Sequence, residues 1–207
     1  GVVTSINAGD NVTLAGGPTG IVTVSANTLY TSYAKISDVK AFNVQGGTAP
    51  AGSFNRDINT EDWDPDGIVL GLNGKALSGN LKSNGGNYTQ STNNQEFALG
   101  AGTYSVRATS PVHKVNRSHL RLMQADTDVD RSNLTTIGGG PGVYAHSTAD
   151  LTTTFVTLFV RFTLTETKIL RVRQFCQTSS TQGYALGMQT NASFSPSVYT
   201  VVEIYKE

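Results

Sequence analysis

The sequence predicts an all-β chain: an antiparallel two-sheet jelly-roll sandwich, preceded by a short N-terminal β shaft and assembled as a homotrimer. Three observations carry that expectation. Residues 152–176, TTTFVTLFVRFTLTETKILRVRQFC, alternate apolar and polar with period 2 over a length too great for one strand. Clusters of Gly, Asn, Pro and Ser divide the rest of the chain at fairly regular intervals and leave no convincing helix after Asp38. Three strands carry apolar residues on both faces, so each needs a second partner beside its own core.

The long stretch splits at Glu166 into an apparent hairpin. Val156, Leu158, Val160, Phe162 and Leu164 share one face of its first strand, while Phe155 and Phe159 occupy the other. On the second strand Leu170, Val172 and Cys176 oppose Ile169 and Phe175. Near the C-terminus Val202 and Ile204 lie on one face and Tyr199, Val201 and Tyr205 on the other. A strand of that kind should not face water. Phe155, Phe159, Phe175, Tyr199, Val201 and Tyr205 together make one expected surface, the interface of a homotrimer.

Taken in order, residues 1–37 read as an N-terminal β shaft and neck. Short runs (Val2 to Ile6, Val12 to Leu14, Ile21 to Val24) alternate with tight turns and are too short to fold alone. Val3, Ile6, Val12, Leu14, Ile21 and Val24 would be buried if three copies wound together. The opening GVVTSIN starts inside a pattern, which reads as the processed piece of something longer. Residues 27–37 lack a clean period and are expected to be a neck, with room for a short helix.

Residues 38–207 are expected to form the head, with about eight to ten strands. Val39, Phe42 and Val44 open it. Ile68, Leu70 and Leu72 make a short strand. Residues 78–95 are an 18-residue polar stretch, unusual inside a compact domain unless it binds or moves. The Gly100-Ala101-Gly102 turn feeds a strand carrying Tyr104, Val106 and Ala108. His119 to Gln124 is a further strand, residues 125–142 a loop, and Gly183 to Met188 with Tyr199 to Tyr205 close the domain.

Composition bounds the function. The 207 residues carry 15 basic and 15 acidic side chains, and only 14% are charged. That lacks the basic surplus of a general nucleic-acid or anionic-membrane binder. No run approaches the ~18 apolar residues of a membrane-spanning helix. A chain of this size hides roughly 70% of its unfolded surface without staples. Its one cysteine, Cys176, reads as a small core residue that closes no intrachain disulfide.

Candidate chemistry is sparse. Asp62, Asp64 and Asp66 in DWDPDG have the spacing that opens a calcium loop, and Ca2+ is the one cofactor the sequence brings into view. Against it, position twelve is Asn73, Pro65 stiffens the turn, and no helices flank it. Asp126, Asp128 and Asp130 repeat the spacing without the glycine. His113, His119 and His146 form no pair, although one could meet its copies on a threefold axis. No nucleophile elbow occurs, and no carboxylate pair is placed in a cleft, so no enzyme is expected. Arg161, Arg171 and Arg173 read as edge charges, intersubunit ion pairs or an anion site, and Arg56 with Asp57 reads as a local pair. Trp63 is a candidate for stacking on a sugar. Tyr88, Asn93, Tyr144 and His146 combine rings and amides, as adaptable binding loops do.

Four segments carry a resemblance: AFNV with FNRDINTEDWDPDGIV, FALGAGTYSVRATSPVHKVNRSHLRLMQ, VTLFVRFTLTETKILRVRQFC and VYTVVEIYKE. In order and spacing they resemble the trimeric jelly-roll heads of the complement globular head and tumour necrosis factor type, in the variant found at the tips of bacteriophage tail fibres. In that family a strand like Gly102-Thr103-Tyr104 follows a short one like Phe97 to Gly100, and a late aromatic strand like Tyr199 to Tyr205 lies near the threefold axis. The pattern V-x-S-I-N-A-G-x-N-V-T is similar to fibre shaft just before a tip. The resemblance implies a homotrimer joined to the remainder of a fibre on a virion, attached to a host-surface glycan or protein. The alternative is a purely structural trimerisation and folding cap without a ligand.

Overall fold

The computed structural model describes residues 12–16, 22–26, 29–72, 75–76, 82–83, 86–87, 95–125, 134–145, 153–189 and 196–207. It contains two compact units, Gly1–Thr31 and Ser32–Glu207. In the first, β1 (Val12–Gly16) and β2 (Val22–Ala26) pair antiparallel with Leu14 opposite Val24. Val and Thr dominate both strands, as pleated backbone favours. Val3, Ile6 and Ile21 of the expected shaft lie outside the described residues.

The second unit opens with β3 (Ser32–Lys40), β4 (Gly52–Asn55), β5 (Thr60–Trp63) and β6 (Val69–Leu72). Three two-residue pieces follow: β7 (Lys75–Ala76), β8 (Lys82–Ser83) and β9 (Gly86–Asn87). Then come β10 (Phe97–Leu99), β11 (Gly102–Val112), β12 (Asn116–Ala125), β13 (Leu134–Gly139) and β14 (Val143–Ala145). β15 (Thr154–Leu164), β16 (Lys168–Cys176) and β17 (Ser197–Lys206) end it. Every pairing is antiparallel, and no helix occurs among the described residues.

Five strands form one sheet in the order β15-β11-β17-β3-β5. The other sheet has eight strands, running β13-β12-β16-β10-β6-β7 with β14 beside β12 and β4 beside β16. The connections β11 to β12, β15 to β16 and β16 to β17 each cross from one sheet to the other. The first and last strands of the unit, β3 and β17, lie side by side. This crossing pattern is the antiparallel jelly roll.

The alternation explains why the sheets close. Val156 and Leu158 from β15, Val106 and Ala108 from β11, and Val202 and Ile204 from β17 are fully buried. Leu120 and Leu122 from β12 and Leu170, Val172 and Cys176 from β16 complete the same core from the other side. Each fully buried Leu or Val contributes about 1.5–3 kcal/mol, so a core of this extent is stable without a disulfide. Cys176 is a free, buried core residue, and burial pushes its thiol up.

Several expectations are corrected. The 152–176 stretch is not a hairpin. β15 pairs β11 and β16 pairs β12, β10 and β4, so the two strands stand in opposite sheets with their apolar faces turned toward each other. Residues 32–37, expected within a neck with room for a short helix, are part of β3, and Ala34 and Ile36 are buried in the core of the second unit. Phe42 lies in a turn beyond that strand. The loop expected over 125–142 contains β13. Gly183 to Leu186 is turn and Gly187 and Met188 are irregular, held by Gly46 N–H on Gly187 O (3.0 Å), Gly47 N–H on Gly183 O (2.7 Å) and Leu186 N–H on Gly47 O (3.1 Å).

Candidate functional site

The outer face of the five-stranded sheet is where exposed apolar side chains concentrate. Val156, Leu158 and Leu164 point inward, which sends Phe155 and Phe159 outward, 60% and 64% exposed. β15 is the edge strand of this sheet. A long edge with bare aromatic rings is a template for another chain.

Register builds a row across all five strands. Phe159 opposes Arg107, Arg107 opposes Glu203, Glu203 opposes Lys35, and Lys35 opposes Trp63. Two exposed rings therefore bracket an alternating cation–anion–cation series. Arg107 reaches Glu203 at 3.8 Å, and Lys35 reaches Asp62 at 3.6 Å. Exposed pairs of this kind contribute little stability, ~0–1 kcal/mol, so their main effect is to set the charge pattern of the face. One row away Tyr205 packs on Tyr33 with ring centroids 5.0 Å apart. Burial, then the charge of Glu203, raises the Tyr33 hydroxyl above its ordinary value. Arg161 holds Glu207 through two hydrogen bonds, Nε to Oε1 at 2.7 Å and Nη2 to Oε2, and this keeps the Glu207 carboxyl below its ordinary value.

The six residues expected to form one interface divide into three groups. Phe155, Phe159, Val201 and Tyr205 share the outer face of the five-stranded sheet. Tyr199 does not. It is 4% exposed, its hydroxyl donates to Val44 O, and its ring lies against Gly187, whose positive φ (128°) and lack of a side chain admit it. The cause is an irregularity in the β3–β17 ladder. Val198 pairs Val39, whereas Val201 already pairs Ser37, so two residues oppose Asp38 and the alternation reverses. Phe175 lies on the eight-stranded sheet, where it stacks on His119 at 5.1 Å.

The binding candidates are likewise separated. Trp63 and Tyr144 are each 59% exposed but belong to different sheets. Tyr88, Asn93 and His146 lie outside the described residues, as do Asp126, Asp128 and Asp130. Asp62, Asp64 and Asp66 do not converge on a calcium ion. Asp64 accepts the Ile68 and Val69 N–H groups at 2.9 and 2.8 Å, one on each carboxylate oxygen, and so caps its own turn. Asp62 turns to Lys35 instead. Among the described residues no group of three His, Cys, Asp or Glu side chains is placed to hold a metal. His113 is buried edge-on against Tyr184 at 5.0 Å.

The arginines also fall apart. Arg171 pairs with the buried Glu96, its Nε at 3.0 Å. Arg56 does not pair with Asp57, which bonds Lys40 at 3.6 Å. Arg56 is buried in the core, donating from Nε to Thr200 Oγ1 at 2.9 Å and from Nη2 to Leu186 O at 3.2 Å, while Nη1 has no partner. From Thr200 a buried polar chain crosses the sandwich. Ser110 lies 3.4 Å from Thr200, bonds Gln174 Oε1 at 3.3 Å, and Gln174 Nε2 donates to Ser118 at 2.9 Å. A buried arginine has no sequence signature, since charged residues read as surface.

No protein-family model matches the chain, and no curated protein matches it. Solved structures similar to it include murine APRIL at pH 8.0, with a TM-score of 0.47, 8% identity, and coverage of 85% of this chain and 98% of that one. Murine APRIL at pH 5.0 has a TM-score of 0.46 and 10% identity, covering 84% and 99%. The globular domain of zebrafish complement 1qA protein has a TM-score of 0.40 and 9% identity, covering 84% and 96%. The strand order described above, rather than this likeness, defines the jelly roll.

Proposed function

We propose that the chain is the receptor-binding head of a homotrimeric fibre, a bacteriophage tail-fibre tip in its sharpest form, attaching a virion to a host-surface saccharide or protein. The observation that carries the trimer is the outer face of the five-stranded sheet. Phe155 and Phe159 stand bare on an edge strand, beside a row that bears both signs of charge. The occupant that fits is a further copy of this chain, because in a closed ring the bare edge of one copy can pack on the sheet face of the next, and a face with both signs of charge can accept it. With that face covered, the loops and the opposite sheet remain for a receptor. Exposed Trp63 and Tyr144, with Tyr88, Asn93 and His146, are the residues proposed to contact it. Modest affinity per head would be multiplied by three sites.

Light scattering at micromolar concentration should give three chains per particle, and a soluble monomer overturns the assembly. Purified head should compete with virions for adsorption to host cells. Deletion of residues 80–94 should weaken that competition, and undiminished competition would transfer the receptor contact to another surface.

A further inference from the structure

On the outer face of the eight-stranded sheet, three arginines follow one another along β12 and β16 without a carboxylate beside them among the described residues. Arg121 on β12 stands directly opposite Arg173 on β16, and Arg117 follows on β12 two residues beyond His119. None of the three has an acidic partner among the described residues, in contrast to Arg161 and Arg171. Like charges placed directly opposite in a ladder weaken it. Arg173 Nε is in addition buried with no hydrogen-bond acceptor. The Arg121–Arg173 pair is therefore left without an anion of its own among the described residues.

The same face supplies rings. Between the two arginine positions His119 opposes Phe175, and the rings stack at 5.1 Å and 20°. Exposed Tyr144 opposes Arg117 on β14. Two shallow hollows, of about 180 and 340 Å³, meet at His119 and Phe175. Arg121 and Arg173 line the first, Arg117 and Tyr144 the second. Along a strand, side chains on one face recur about every 7 Å. The face thus presents cation, ring and cation in succession across the two hollows, which together form the groove.

We infer that this groove binds an acidic saccharide, with ring carboxylates on Arg117, Arg121 and Arg173 and a sugar face on the Phe175–His119 stack. Guanidinium forks match carboxylates bidentately, and aromatic rings cover the apolar face of a sugar. An isolated inorganic anion would leave the ring platform unused, and a neutral sugar would leave the cations unpaired. The inference deepens the attachment reading above and rests on it only for the ligand being a host-surface polymer.

The test is calorimetric titration of the assembled protein with hexagalacturonate, with a neutral galactose hexamer of the same linkage and with inorganic phosphate. The site predicts binding of the uronate at least tenfold tighter than of either control, weakening as salt rises. R121Q/R173Q, on an exposed sheet face, should lower uronate affinity about a hundredfold, roughly tenfold per charge-assisted contact. Phe175→Leu should lose severalfold for the uronate with its salt dependence unchanged. A melting temperature within a few degrees of the parent confirms that each variant is folded. Should R121Q not fold, R117Q carries the same prediction for the second hollow. No uronate binding by the parent, equal binding of acidic and neutral hexamers, equal binding of phosphate, or undiminished binding by a folded R121Q/R173Q each overturns the site. Host-cell binding without uronate binding discards this site and leaves attachment standing, whereas uronate binding without host-cell binding does the reverse.

Discussion

Phe159 and Arg107 lie directly opposite each other across β15 and β11, with the ring 64% exposed and the guanidinium turned to Glu203 at 3.8 Å. The ring is thus bare in the single chain and set beside charges that are already partnered. Phe159→Glu should give a folded, soluble monomer. The substitution removes nothing from the core, yet it would take a carboxylate out of water in each buried contact beside an Arg107 already turned to Glu203, which costs several kcal/mol, roughly, and recurs three times. Sedimentation should report one chain per particle with an unchanged far-ultraviolet spectrum. Normal assembly of Phe159→Glu would mean that Phe159 faces away from the interface.

How much of this was legible depended on which physical rule governed each residue. Alternation correctly turned Val156, Leu158, Leu170 and Val172 inward, and it placed Phe155 and Phe159 outside, because period 2 is intrinsic to the strand. Alternation says nothing about which strand lies alongside. The connection around Glu166 therefore looked like a hairpin, although its two strands sit in opposite sheets. Alternation alone puts Tyr199 on the outer face with Val201 and Tyr205, but one extra residue in the ladder reverses it without a compositional mark. The Gly183 to Met188 segment carries apolar residues like a strand, but its hydrogen bonds run to Gly46 and Gly47 across the fold. For the arginine groove, residue types were visible and the decisive fact, Arg121 opposite Arg173, needed the register.

Gly140 should tolerate no side chain. A Cβ there would lie 1.9 Å from the Thr157 carbonyl oxygen, which belongs to the backbone of β15 and cannot swing away. The Gly140 N–H also donates to Leu120 O at 2.9 Å, tying this turn to β12. Gly140→Ala should destabilise the head by about 3 kcal/mol, at the upper end of the overpacking range, measured by urea unfolding. A loss under about 0.5 kcal/mol would show that the turn can lift off β15.

Arg56 tests whether a buried charge or its packing matters more. Burial holds its guanidinium down to about 10, partly offset by Asp38 and Asp57, and Nη1 lacks an acceptor. Charge is therefore poorly compensated, whereas the long side chain fills the space between Thr200 and Leu186. Arg56→Ala should cost about 3 kcal/mol through the cavity and the lost bonds. Arg56→Met keeps much of the volume but leaves Leu186 O and Thr200 Oγ1 without their donor, so it should cost less than Arg56→Ala, about 1–2 kcal/mol. Equal losses in the two variants would show that the charge itself, through Asp38, holds this end of the sandwich.

His119 links the arginine groove to pH. Its imidazole is held below the ordinary value, first by burial and second by the charge of Arg121. Arg117 and Arg121 flank it on its own strand, Arg173 and the Phe175 ring face it from β16, and Tyr144 lines the same groove from β14. Because the folded value is depressed, the contribution to stability is present above the ordinary histidine value of about 6.5 and is lost as pH falls through the folded value. Without ligand, the melting temperature should therefore decline between about pH 7 and 5, and less so in His119→Phe, which keeps the stack on Phe175. An anion in the groove would reverse the sign locally by favouring the imidazolium, so hexagalacturonate affinity should rise as pH falls over the same window. Nuclear magnetic resonance titration of His119 with and without the hexamer reads both effects, and a histidine value unmoved by the ligand would place the saccharide away from the Phe175–His119 stack.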